Sequence, residues 1–337
     1  MRIEENYLLK EHNTFRLPVK ARWFMEYESE DELVCILRDE YFQESLSLHI
    51  GSGSNLLFLN DYNGIILHSA IKGITIAGET DDTVLLRIGA AEIWDDVVAY
   101  AVSKGWSGIE NLSLIPGESG AAAVQNIGAY GVEIKQVVET VEAYNQLTFE
   151  KQTFTNEACG YDYRSSFFKN KQHDPYIITH IHLRLSKTPR YTLHYGNLKE
   201  LAAACSPLTI QDIRRIIIDI RRQKLPDPAV TGNAGSFFTN PIIPADHYEA
   251  LKKRYPAIPA YPMKGQVKIP AGWLIEQCGW KGKTCGQVAV YDKQALVLVN
   301  LGEATGDEIA LVAERIRTAV AERFGIELVP EVHYVLS

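Results

Sequence analysis

The stretch that most constrains this chain runs from Leu114 to Gly131, Leu-Ile-Pro-Gly-Glu-Ser-Gly-Ala-Ala-Ala-Val-Gln-Asn-Ile-Gly-Ala-Tyr-Gly. It holds four glycines (Gly117, Gly120, Gly128, Gly131), three consecutive alanines and the amide pair Gln125 and Asn126, with no Lys, Arg or His. Glycine permits positive φ and close backbone approach, and alanine keeps a wall thin. Such a segment can lie flat against a large ligand and offer it backbone N–H groups, as a cofactor cradle must. A second stretch of this kind follows the apolar Leu46-Ser47-Leu48-His49-Ile50, which reads as a strand running into the turn Gly51-Ser52-Gly53-Ser54-Asn55-Leu56. That is the usual arrangement for holding a diphosphate through N–H and hydroxyl groups. Neither stretch is a Gly-x-Gly-x-x-Gly opening a helix, nor a phosphate loop ending in Lys-Ser/Thr.

A chain of 337 residues is long enough for two or three domains. Its net charge of -8 and pI near 5.7 argue against nucleic acid or an anionic membrane as a general partner, so an anionic ligand must meet local cations or backbone N–H groups. The five cysteines are odd in number and include no Cys-x-x-Cys pair, which points to the reduced thiols of a cytoplasm and away from zinc. The N-terminus lacks the apolar core of a signal peptide and no run approaches membrane-spanning length, so a cytoplasmic protein with no membrane partner is expected.

Along the chain, Ala21–Glu28 alternates as a strand, and Ser29 is a fitting N-cap for one helix reaching about Phe42. Strands are expected at Leu46–Ile50, Gly64–His68, Ile74–Ile76, Val84–Ile88, Val137–Tyr144 and Ile177–Leu185, with a helix over Glu92–Lys104. His180 and His182 share one face of the last of these strands. With no third ligand spaced near them they read as polar-face residues, and no metal is expected. The helix Ile210–Lys224 puts Ile213, Ile217 and Ile220 on one face and Arg214, Arg215, Arg221, Arg222 and Lys224 on the rest. Leu225-Pro226-Asp227-Pro228 ends it and marks a domain boundary, and a basic run ending there is well placed to meet phosphates. Beyond it come helices near Ala245–Arg254 and Ala271–Cys278, strands near Val288–Tyr291 and Ala295–Val299, a long helix Thr305–Phe324, and a closing strand Ile326–Val335. The domains expected are 1–70, 71–225 and 226–328, with a C-terminal strand at 329–337 returning to the first.

The two glycine-rich stretches, together with Gly160-Tyr161-Asp162-Tyr163-Arg164-Ser165-Ser166-Phe167-Phe168-Lys169, Gly232-Asn233-Ala234-Gly235-Ser236-Phe237-Phe238-Thr239-Asn240-Pro241 and Pro330-Glu331-Val332, resemble the UDP-N-acetylenolpyruvoylglucosamine reductases (UDP-N-acetylmuramate dehydrogenases). The likeness runs from Asn13-Thr14-Phe15 almost to the C-terminus. The segment Leu193-His194-Tyr195-Gly196 places the chain with the longer-loop (type I) form.

The resemblance implies an α+β fold: a two-part FAD-binding region of the PCMH/vanillyl-alcohol-oxidase type followed by a C-terminal α+β substrate-binding domain. It implies noncovalent FAD, NADPH as reductant, and reduction of UDP-N-acetylglucosamine enolpyruvate to UDP-N-acetylmuramate for peptidoglycan, and so for cell shape and division. The reduced flavin delivers hydride to the vinyl carbon. Arg164 takes the role of clamp on the substrate carboxylate, Glu331 acts on the same carboxylate as a hydrogen-bonding acid, and Ser236 donates the proton. Gly51, Ser52, Gly53, Ser54, Asn55, Leu56, Pro116, Gly117, Gly120, Gln125, Asn126 and Gly128 take the flavin. Tyr195, Lys224, Asn240, Tyr261 and Lys281 take substrate or NADPH, with the lysines on phosphate. A monomer is expected, with the Tyr195 loop folding over the sugar nucleotide.

Two departures stand out: His333 where many relatives carry an arginine, and Ala121 and Ala122 where relatives often have Gly or Ser. A flavin oxidase of the same fold is the alternative enzyme. Neither glycine-rich stretch holds a His or Cys inside it for a covalent flavin link, His49 at the strand end excepted. A nucleotide-binding sensor is the non-enzyme alternative, and it would have no need for a proton donor such as Ser236.

Overall fold

The structure is a computed structural model describing residues 1–169 and 175–336, so Ser337 of the expected returning segment lies outside the described residues. The chain divides into two compact units. The first comprises Met1–Tyr7, Ala21–Ser52 and Asn63–Arg221, the second Leu8–Lys20, Gly53–Tyr62 and the chain from Arg222 onward.

In the first unit a four-stranded sheet runs in the order Arg2–Leu8, Lys20–Tyr27, Tyr62–Ser69, Ser47–Ile50, the last two strands parallel. The single helix expected from Ser29 is two. Ser29 caps Glu30–Arg38 by accepting the Glu32 N–H, and Asp39 caps a second helix, Glu40–Glu44. The break lies in Asp39 itself. Its carboxylate accepts the Phe42 N–H at 3.0 Å, and an N-cap needs extended backbone, which begins a helix and cannot continue one.

A five-stranded antiparallel sheet follows, ordered Lys151–Thr155, Val138–Asn145, Tyr176–Ser186, Thr83–Gly89, Ile74–Glu79. The helix Trp94–Ser103 buries Trp94, Val97, Val98, Ala101 and Val102 in the same core as Leu86, Ile88, Ile181 and Leu183 of the strands. One face of the sheet carries buried charge. Glu142 takes a two-pronged bond from Arg87 (3.0 and 2.8 Å), the Lys151 ammonium at 2.8 Å and His182 Nε2 at 2.7 Å. Glu30, at the start of its helix, takes Lys151 at 2.8 and 2.9 Å and the Thr179 hydroxyl at 3.0 Å.

Glu30, Glu142 and His180 offer ligand atoms within 4.8 Å of one another, so the tertiary fold supplies the third group that sequence spacing hid from His180 and His182. Arg87 and Lys151 already balance the two carboxylates. Arg87 also donates to His180 Nδ1 at 3.0 Å, which requires that nitrogen to be unprotonated. Burial and the neighbouring Arg87 accordingly lower the His180 pKa.

The second unit packs a four-stranded antiparallel sheet (Gly232–Ser236, Val297–Asn300, Val288–Val290, Thr284–Cys285) and a three-stranded one (Ile242–Pro244, Gln266–Lys268, Tyr261–Met263) with helices Ala245–Arg254, Ala271–Gln277 and Gly306–Phe324. Thr305 and Glu308 form a capping box on the last helix and Gly325 ends it at φ 64°, so Ile309, Val312, Ile316, Val320 and Phe324 fall on one buried stripe. Phe15, Leu17 and Leu57 join that core from early in the sequence. The closing strand expected from Ile326 shrinks to His333–Val335, parallel to Leu56–Phe58. Pro330 cannot donate to a ladder; the Val329 carbonyl accepts the Thr239 N–H and hydroxyl, and the Glu331 N–H donates to the Phe237 carbonyl.

Burial raises the cost of charge on Glu30 and Glu142, but Lys151 and Arg87 outweigh it and hold both carboxyls below their ordinary 4.5. A depressed carboxyl stabilises the fold fully above its unfolded pKa and loses that contribution as pH falls through the folded value. Glu142→Ala should therefore cost about 3 kcal/mol in chemical denaturation, because it strands two cations against the sheet. Glu142→Gln should move the acid-unfolding midpoint upward. An unchanged midpoint would show the network to be energetically idle.

Candidate active site

The cradle in the first unit is held by side chains that spend their hydrogen bonds on its backbone. Asp95 Oδ1 accepts the Leu114 N–H at 2.6 Å, and its carboxylate is forked by Arg214 at 2.6 and 2.9 Å. Burial opposes the charge on Asp95, but Arg214 and the Leu114 amide prevail and keep the carboxyl below its usual range. Arg221, partly buried, donates to the Leu114 carbonyl at 3.2 Å, and burial lowers its pKa. At the other end Asn111 Nδ2 donates to the carbonyls of Tyr130 and Thr192, both at 2.9 Å, tying the cradle to the segment that carries Tyr195.

Between these anchors Ser119–Gln125 is a helix, which the surrounding glycines hid in the sequence although its three alanines favour one. Gly117 precedes it at φ 126°, and the Gly120 N–H donates to the Ala90 carbonyl at 3.0 Å. Asn126 caps the helix at φ 45°, and its amide goes to the protein: Nδ2 to the Asp162 carbonyl at 2.8 Å, and Oδ1 from the Lys135 N–H at 3.2 Å. This amide thus shapes the cradle from within. Ala121 is exposed and Ala122 buried.

Arg164 lies across the far end. Its guanidinium donates to the Gly128 carbonyl at 2.6 Å and to the Asn126 carbonyl at 3.4 Å, and its backbone sits at φ 53°. A non-glycine residue there is strained by about 1–3 kcal/mol, a cost often found at functional positions. A Cβ on Gly128 would lie 2.8 Å from Arg164 Nη1, so only glycine allows this approach. Tyr195, 49% exposed, stands edge-on to Tyr130 with ring centroids 5.9 Å apart. Gly51 and Ser52, the first half of the Gly/Ser turn, also belong to this unit.

In the second unit Gly53, Ser54, Asn55 and Leu56 are stitched to the C-terminal segment. Asn55 Nδ2 donates to the Glu331 carbonyl at 3.0 Å, and the Asn55 carbonyl accepts the His333 N–H at 2.9 Å. The Glu331 N–H donates to the Phe237 carbonyl at 2.8 Å. Ser236 ends its strand beside Gly235, at φ 67°, with its residue exposed. Two of the three expected catalytic residues, Ser236 and Glu331, are thereby brought onto adjoining backbone with Asn55.

The residues expected at substrate or NADPH are more spread. Asn240 Oδ1 accepts the Ala271 N–H at 2.9 Å at a helix start. Tyr261 opens an exposed edge strand, Lys281 pairs with Glu276 at 3.1 Å, and Lys224 is the exposed last residue of its helix. Sequence reading missed Asp95 and Asn111. The one signal for Asp95 was an acidic first helical turn facing a chain with a basic helix.

The residues fit a flavin nucleotide. Gly51 and Gly128 stand where a Cβ would strike neighbouring side chains, so the backbone of both stretches lies close against Glu118 and Arg164. Thr14 donates its N–H to the Gly53 carbonyl, yet its buried Oγ1 has no hydrogen-bond partner, an orphan that a ligand oxygen at the turn would satisfy.

Comparison with known proteins agrees. Residues 21–148 match the family model of an FAD binding domain, so the chain is of the flavoprotein class. Residues 227–335 match the model described as UDP-N-acetylenolpyruvoylglucosamine reductase, C-terminal domain. The UDP-N-acetylenolpyruvoylglucosamine reductase of Bacteroides fragilis is 49% identical over 334 residues, covering 99% of this chain and 100% of the relative. That of Porphyromonas gingivalis is 49% identical over 338 residues, covering 100% of both. The crystal structure of the Thermus caldophilus enzyme superposes with a TM-score of 0.70 over 100% of both chains at 22% identity, which speaks for the fold. The chain belongs to the UDP-N-acetylenolpyruvoylglucosamine reductase family and is an oxidoreductase. Its fold is α+β, with an FAD-binding region and a C-terminal family domain, as the sequence led us to expect. Among the described residues no helix is long and apolar enough to cross a membrane.

Gly128→Ala should push the Arg164 guanidinium off its two carbonyls while leaving the anchors at Leu114 and Tyr130 intact. The expected result is turnover per bound flavin down about 10²-fold, the scale of a 1 Å misplacement. Unchanged turnover would show that Arg164 tolerates displacement.

Proposed function

We propose that this chain reduces the enolpyruvyl ether of UDP-N-acetylglucosamine enolpyruvate to UDP-N-acetylmuramate, with NADPH as reductant and noncovalent FAD as carrier, in peptidoglycan precursor synthesis. What most supports the reading is that Glu331 bonds through its backbone both to Asn55 of the flavin turn and to Phe237, the residue after Ser236. Pro116, Gly117, Gly120, Gln125, Asn126 and Gly128, with the Gly51–Leu56 turn, would hold the flavin, and Thr14 Oγ1 would meet its diphosphate. Bound there, the flavin supplies hydride for the terminal vinyl carbon.

The protein's own residues do the rest. Arg164 neutralises the substrate carboxylate as negative charge spreads into it, and its planar fork suits that pairing. Glu331 donates a hydrogen bond to the same carboxylate. Ser236 gives the proton to the carbon bearing the ether oxygen, so one hydride and one proton saturate the double bond. Tyr195, Lys224, Asn240, Tyr261 and Lys281 would position the sugar nucleotide and NADPH, the lysines through phosphate. The domain limits 1–70, 71–225 and 226–328 belong to this reading, as does a monomer working in the cytoplasm. All five cysteines being free suits a reducing compartment.

Anaerobic NADPH should bleach the flavin band of the purified protein, and UDP-N-acetylglucosamine enolpyruvate should restore it. In Ser236→Ala the bleaching should persist while restoration slows by about 10²–10⁴-fold, the usual contribution of a positioned proton donor. Survival of both half-reactions would remove Ser236 from the role, and reoxidation by oxygen alone would favour an oxidase.

A further inference from the structure

Beneath the two flavin stretches of the first unit lies a buried group that the reaction does not use. His68, on the strand Tyr62–Ser69, faces two carboxylates. Its Nδ1 is 2.8 Å from Glu26 Oε2, and its Nε2 is 3.4 Å from Glu118 Oε1. The side chains of His68 and Glu118 are each only 11% exposed. Glu118 stands at the head of the cradle helix and makes no cap bond there. Its other oxygen lies 2.9 Å from where a Cβ of Gly51 would be, so this carboxylate sits directly under the Gly/Ser turn. The absence of a side chain at Gly51 thus makes room for Glu118.

A neutral imidazole has one N–H and can serve only one of two carboxylates; with both carboxylates ionised, both contacts require the imidazolium. The other titratable groups do not supply that charge. His49, bonded to the Tyr27 hydroxyl at 2.9 Å, is pushed down to about 3 by burial and by the charge of His68. Arg2 reaches Glu26 at 3.9 Å from the edge strand, and Phe24 stacks on the His68 ring at 5.9 Å. With His68 charged, Glu26, His68 and Glu118 sum to one negative charge, and Arg2 is itself paired with Glu4 at 2.6 Å.

We propose that the His68 imidazolium is a positioning group for flavin binding: it holds the Glu118 carboxylate beneath Gly51 and cancels its charge where the anionic diphosphate must sit. On deprotonation His68 keeps its one proton on the closer partner, Glu26, and releases Glu118. A bare carboxylate then faces the turn and repels the diphosphate. The sign follows. Burial opposes charge on His68, but bonds from Glu118 and Glu26 prevail and raise its pKa above the ordinary 6.5. The clamp is complete below that value and is lost as pH rises through the raised one.

The inference rests on the FAD-binding assignment and not on the reductase chemistry. The test is FAD affinity of the deflavinated protein, read by quenching of flavin fluorescence, from about pH 6 to about pH 9. The parent should weaken about tenfold over that range, the equivalent of one unit of pKa difference between free and bound protein. Glu118→Gln, of equal shape and no charge, should bind FAD with a flat profile. His68→Gln should stay at the weak level throughout. Nitrogen-15 NMR of the apoprotein at about pH 6 should show both His68 ring nitrogens protonated. A slope in Glu118→Gln equal to that of the parent, a flat parent profile, or a singly protonated His68 at that pH overturns the proposal. A parent that binds no FAD at any pH overturns the cofactor assignment with it.

Discussion

A glycine-rich cradle cannot hold its own shape, because the residues that let backbone approach a ligand are those with no side chains to pack or bond. In the first unit the shape comes from outside the cradle. Asp95 grips the Leu114 amide while Arg214 grips Asp95, Arg221 takes the Leu114 carbonyl, and Asn111 fixes Tyr130. The anchors lie on the helices Trp94–Ser103 and Ile210–Lys224 and in the short turn at Glu110–Leu112, elements with their own buried apolar faces. Hydrophobic burial on those elements is therefore what makes the bare backbone rigid. The basic helix expected to meet phosphate spends two of its arginines in this way.

The same logic sets Arg164. Its guanidinium donates to the backbone carbonyls of Gly128 and Asn126, which supply partial negative charge. Reaching them demands a left-handed backbone at Arg164 and the absence of a side chain at Gly128. Strain and close approach are one arrangement here, seen from its two sides.

Two buried charge groups in the first unit solve opposite problems. Glu30 and Glu142 are paired with Arg87 and Lys151, whose charges persist across the physiological range, so that group is a fixed tie between the helix at Glu30 and the sheet. Glu26 and Glu118 are paired through a histidine, the one side chain that changes charge near neutrality. The permanent cations lie under the sheet, and the titratable one lies under the Gly/Ser turn, beside Glu118.

By itself the sequence determined the elements with strong periodicity and clear punctuation. Ile210–Lys224 and Ala245–Arg254 have the expected bounds, and Thr305 caps the long helix that follows. Its ordered motifs also determined the family, because glycines and polar residues at fixed places in one order are a local property of the chain. Where one residue outweighed the pattern the reading failed: Asp39 split a helix, and Pro330 shortened a strand. Tertiary structure alone decided the partners. Glu30 with Glu142, Glu26 and Glu118 with His68, and Phe237 with Glu331 are far apart in sequence and meet only through the tertiary fold. No spacing rule reports such meetings, since a hydrogen bond needs atoms within about 3 Å and sequence distance carries no information about that.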